Sequence, residues 1–68
     1  MAFEEMIFLD YLKQLTIAKD NYQFAVIKNN IMKNKAIFND KMYNELINQH
    51  SLHYETFEAE IFKNNLKN

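Results

Sequence analysis

Residues 3–33, FEEMIFLDYLKQLTIAKDNYQFAVIKNNIMK, contain no glycine and no proline, and their apolar side chains recur at helical spacing. At about 100° per residue, Phe3, Ile7, Phe8, Tyr11, Leu12, Leu15, Ala18, Tyr22, Ala25, Val26 and Met32 fall on one broad face. Met6, Leu9, Ile17, Phe24, Ile27 and Ile31 fall roughly opposite. Two thin polar seams separate them, one of Thr16, Gln23 and Asn30 with Glu5 alongside, the other of Asn21 and Lys28 with Asp10 close by. The spacing predicts one continuous helix, about 45 Å long at 1.5 Å per residue, with an apolar stripe on each of two sides. Such a helix needs neighbours on both sides. The pattern therefore implies a partner, either further copies of the chain or another protein.

Lys33, Asn34 and Lys35 close this first pattern with cations suited to the negative end of a helix dipole. Asn34 can take the left-handed conformation of a C-terminal cap, and Asn39 or Asp40 can cap a second helix. The second helix carries Met42, Tyr43, Leu46, Ile47, His50, Tyr54, Phe57 and Ile61 on its main face. Within that set Tyr43, Ile47, His50, Tyr54, Phe57 and Ile61 form a coiled-coil-like seam of alternating four- and three-residue steps. The seam matches the first-helix series Phe8, Tyr11, Leu15, Ala18, Tyr22, Ala25, where small alanines would face bulky rings. The expected fold is all-α, an antiparallel hairpin of two long helices in a single domain over residues 1–68. A bundle would then be completed by oligomerisation or by binding a partner. Ser51 is a competing N-cap, with Glu55 and Glu58 near the start of the helix it would open, and a break there would give three helices.

A chain of 68 residues buries a modest fraction of its surface, and one core of this size supplies only about 3 to 5 kcal/mol. Cysteine is absent, so no disulfide or thiolate metal site reinforces it, which fits a reducing compartment. Glu4, Glu5 and Asp10 stand where a signal peptide would carry lysines. No apolar run approaches the roughly 20 residues that span a bilayer. The expected location is cytoplasmic. Phe, Tyr, Met, Ile, Asn and Lys make up more than half of the chain, while Gly, Pro, Arg and Trp are missing. Their codons point to an AT-rich genome, and a low-GC bacterium, or a phage or mobile element within one, fits.

Few residues offer chemistry. His50 and His53 share a helix face at i and i+3, but zinc needs at least a third ligand and no candidate is fixed by the sequence. The residue three before His50 is Ile47, not the glutamate of a di-iron bundle. His50 is therefore expected in the seam, and no metal or cofactor is expected. Glu55 and Glu58 share a flank while Glu60 points elsewhere, and Thr16, Ser51 and Thr56 lack a base-plus-orienter arrangement. Catalysis is not expected. Lys28, Lys33, Lys35 and Lys41 gather near the turn among Asn29, Asn30, Asn34 and Asn39. A net charge of −1 and the lack of arginine weigh against nucleic acid, leaving a nucleic-acid-associated regulator as the weakest reading.

The expected function is thus that of a non-enzymatic protein–protein interaction module. Its concrete form is a small phage or mobile-element protein that binds and inhibits a host protein. The alternative is a self-assembling structural or scaffolding subunit. The residues expected at the partner interface are Ile17, Phe24, Ile27 and Ile31 of the first helix with Phe62 and Leu66 of the second. Leu52 and Ala59 extend the second stripe.

Overall fold

The computed structural model describes residues 2–66 and contains three α-helices. Helix α1 spans Phe3–Ile17, α2 spans Asn21–Lys33 and α3 spans Asp40–Leu66, with one 3₁₀ turn at Lys35–Ile37 between the last two. The continuous first helix expected from residues 3–33 is divided. Ala18 leaves the helix at φ −64°, ψ 135°, although its N–H still bonds to the Gln14 carbonyl at 3.0 Å. Asp20 is extended at φ −147°, ψ 167°, and its side chain caps α2 by accepting the Gln23 N–H at 2.7 Å. The Gln23 side chain reaches back in turn and accepts the Lys19 N–H at 2.6 Å. An aspartate followed three residues later by glutamine is a capping-box pattern, here with the backward bond falling one residue before the cap. That reciprocal pair satisfies one open donor of the helix start, the Gln23 N–H, and the Lys19 N–H just before the cap.

The corner reverses the chain, so α1 and α2 run antiparallel. The Asn34 amide at the far end of α2 donates to the Tyr11 hydroxyl at 2.9 Å, while Ile17 and Ala18 lie beside Gln23 and Ile27. Helix α3 runs antiparallel to α2, since Phe24 packs on His50 and the Tyr54 hydroxyl donates to the Asn21 side chain at 3.2 Å. It runs parallel to α1, with Phe8 and Leu9 beside Met42 and Glu45 and with Leu15 and Ala18 beside His53 and Phe57. The outcome is an up-down-up bundle rather than a two-helix hairpin.

The core consists of Tyr11, Leu15, Phe24, Ile27, Ile31, Phe38 and Leu46, closed on one side by the buried His50. Phe24 anchors it, with ring centroids at 5.8 Å from His50, 5.4 Å from Tyr54 and 5.3 Å from Phe57. Phe38 folds in from the connection after the 3₁₀ turn and meets Tyr11 edge to face at 6.2 Å. Each fully buried side chain of this kind is worth about 1.5 to 3 kcal/mol over leaving it in water.

The corner also corrects the expected contact surface. Phe24, Ile27 and Ile31, assigned from the sequence to a partner interface, are 3%, 6% and 0% exposed inside this chain's own core. Leu15 and Phe24 lie nine residues apart, on opposite sides of a straight helix at about 100° per residue. Folding α2 back brings both sides to α3. Tyr22 and Ala25, expected in the seam, are exposed instead. Ser51 lies within α3 and causes no break. The N-cap of α3 is Asn39, whose side chain accepts the Met42 N–H at 2.8 Å. Asn34 sits at φ −101°, ψ 19° rather than in the left-handed region, and no described residue has positive φ. The Asn34 N–H meets the Asn30 and Ile31 carbonyls at 3.1 and 3.2 Å, and the 3₁₀ turn follows directly, with Ile37 N–H bonding to Asn34 O at 2.9 Å.

Candidate interaction surface

Unequal helix lengths shape the exposed apolar surface. At 1.5 Å per residue α1 is about 22 Å long, α2 about 20 Å and α3 about 40 Å. Because α3 starts level with the N-terminal half of α1, it outruns the α1–α2 corner. From Glu58 to Leu66 every residue of α3 is exposed. This projecting tail carries Ile61 on the continuation of the core seam and Phe62 and Leu66 on its outer side, at 43%, 66% and 72% exposure. A shallow cleft forms where the tail leaves the bundle, between Asn21 on α2 and Phe57, Ile61, Phe62 and Asn65 on α3.

A second apolar surface lies on the side of the bundle near the corner. Gln14, Ile17 and Ala18 of α1 and its end face Tyr22, Gln23, Val26 and the edge of Ile27 across a groove of about 320 Å³. Ile17 and Tyr22 are exposed there. Farther along α1, Phe3, Met6 and Leu9 are also exposed, as are Met32 on α2 and Leu52 on α3. Of the interface residues expected from the sequence, Ile17, Phe62 and Leu66 therefore stand on the surface, in two separate regions. Phe24, Ile27 and Ile31 do not. Tyr22 and Val26 join the surface although periodicity placed them with the core face. The sequence signal that relocates them is Asp20 with Gln23, since a helix start there breaks the continuity on which the two-stripe reading rests.

Of the polar candidates, His50 and Lys35 are held by contacts within the chain. The His50 Nε2–H donates to the Phe24 carbonyl at 3.0 Å, and its ring stacks on Tyr54 with centroids 6.1 Å apart. His53 is half-buried along a cleft between α1 and α3. Among the described residues no three His, Cys, Asp or Glu side chains converge as metal ligands. Glu55, Glu58 and Glu60 are all exposed. Of the turn lysines, Lys35 lies with Nζ 5.1 Å from the centre of the Tyr43 ring, a cation–π contact, while Lys28, Lys33 and Lys41 are exposed. No described helix is long and apolar enough to cross a membrane. Comparison of the chain with protein-family models, with curated proteins and with solved structures finds no match.

Proposed function

We propose that this chain is a non-enzymatic protein–protein interaction module that acts by covering a surface on another protein molecule. The observation that carries this reading is the α3 tail, where Ile61, Phe62 and Leu66 are held out past the bundle on a preformed helix. Isolated short helices are marginal in water, so a helical extension that carries exposed apolar residues gains by docking. A helix of this kind fits an apolar groove through residues spaced three and four apart, as Phe62 and Leu66 are. The commitment of the His50 ring to a backbone carbonyl supports a structural role for it. In its concrete form the reading is a small protein, encoded in an AT-rich genome of phage or mobile-element type, that inhibits a host protein by occupying it. A second reading, self-assembly, is favoured by a separate observation: the exposed residues of α1 and α2 continue each other's buried stripes.

The test is the pair Phe62→Glu and Leu66→Glu in one chain. Both residues are exposed, so the variant should keep the parent's helical circular-dichroism spectrum and melt within a few degrees of it. It should lose binding, measured as protein retained from a low-GC bacterial lysate. A variant that retains protein as the parent does would remove the tail from the contact surface.

A further inference from the structure

We propose that two copies of the chain exchange their first helices. In the exchanged pair the corner at Ala18–Asp20 straightens, α1 and α2 merge into one helix over residues 3–33, and α1 of each copy packs on α2 and α3 of the other. The inference rests on the reading of the exposed apolar residues as contact surface, and it names a second copy as the occupant. Short hinges between packed elements are the usual sites of such exchange.

The corner is chemically able to straighten. Its residues are Ala18, Lys19 and Asp20, with no glycine, no proline and no positive φ to hold a turn, and alanine and lysine are good helix formers. The bonds given up are the Gln23 N–H to Asp20 and the Lys19 N–H to Gln23. In a continuous helix both donors find main-chain carbonyls four residues back.

Straightening also brings the divided stripes into line. Tyr22 and Val26, exposed in the bent chain, fall on the face of buried Tyr11 and Leu15. Met6, Leu9 and Ile17, also exposed, fall on the face of buried Phe24, Ile27 and Ile31. The bent chain thus buries the first half of one stripe and the second half of the other. A straight one makes both continuous.

The α3 tail supplies the third observation. Phe24 faces α3 through His50, Tyr54 and Phe57. One heptad before Phe24 stands Ile17, and one turn after Phe57 stands Ile61. With α2 and α3 antiparallel, a straight helix carries Ile17 under the tail at the level of Ile61. The two residues are 62% and 43% exposed in the bent chain, where the corner turns α1 away from the tail. A merged helix of 31 residues is about 46 Å long, enough to underlie the whole of α3, which neither half can do.

The chain has no cysteine, so Asp10→Cys and Lys33→Cys can place one spin label on each of the first two helices, at exposed positions. Labelled protein diluted into excess unlabelled protein then reports the distance within one chain. Side by side in the bent form, the helix axes lie about 10 Å apart, whereas 23 residues of continuous helix separate the sites by about 35 Å. The expected result is a concentration-dependent species of twice the 8.2 kDa chain mass that carries the long distance. Lys19→Pro gives up the Lys19 N–H bond to Gln23 but should abolish that species and keep the short distance. Proline favours an extended preceding residue, which Ala18 already is, and it breaks a helix interior. A dimer with the short distance would overturn exchange and leave the interaction reading standing. A parent that stays at monomer mass at every concentration overturns exchange as well; if it also retains no other protein, the interaction reading falls with it.

Discussion

Ile31 and Leu46 have no exposed surface, and the molecule's dependence on them separates core from contact surface. Ile31→Ala and Leu46→Ala should each destabilise by about 2 to 5 kcal/mol, the range for emptying a buried branched side chain. Ile17→Ala and Phe62→Ala, at exposed positions, should stay within about 0.5 kcal/mol in the monomer. Urea midpoints measured at one low protein concentration check both. Equal losses at Ile17 and Ile31 would mean that the corner is misplaced and the first helix continuous. A finer contrast concerns the Tyr11 hydroxyl, which receives the Asn34 amide at 2.9 Å. Tyr11→Phe should cost about 0.5 to 1.5 kcal/mol, the net worth of one hydrogen bond, because Asn34 keeps its second bond to the Asn30 carbonyl at 3.0 Å.

At the scale of elements, two side-chain caps decide where helices begin. Asp20 starts α2 and Asn39 starts α3. Replacing either by alanine should cost about 0.5 to 2 kcal/mol of monomer stability. Their effects on association should differ. Asp20 caps a helix start that exists only in the bent chain, so Asp20→Ala should raise the dimer fraction under helix exchange. Asn39 starts α3 in both forms, so Asn39→Ala should leave that fraction where the parent has it. Analytical ultracentrifugation of the two variants at matched concentrations tests the difference, and a rise with Asn39→Ala but not Asp20→Ala would contradict exchange. The uninterrupted α3 has an equally local cause. Ser51 faces solvent in mid-helix, while His50 and Tyr54 on either side pack in phase against Phe24, so packing outweighs the preference of serine for a helix start.

The whole molecule is a small bundle with one core and an overhanging tail, and its stability reserve is slight. Anything that binds the folded chain but not the unfolded one raises its melting temperature by mass action. The melting temperature of the parent should therefore climb with protein concentration, while that of Lys19→Pro should stay flat. A flat parent curve over the concentrations at which dimer is sought would argue against any self-association.

The sequence by itself determined that the chain is helical, because glycine and proline are absent and apolar residues repeat at helical spacing from Phe3 to Ile61. It also located the seam of α3 through His50, Tyr54 and Phe57, a cap at Asn39 or Asp40, and the exposure of Ile17, Phe62 and Leu66. Periodicity could not say which of two opposed stripes is turned inward, since both satisfy the same spacing and a corner of three helix-compatible residues leaves no breaker in the pattern. Asp20 with Gln23 marked the corner, but a cap is worth little beside a stripe of buried side chains, and only the packed chain shows Phe24, Ile27 and Ile31 folded back onto α3 and buried there. The same holds for Phe38. It lies in a connection with no periodicity to reveal it, and only the position of the Tyr11 ring gives it a place to pack.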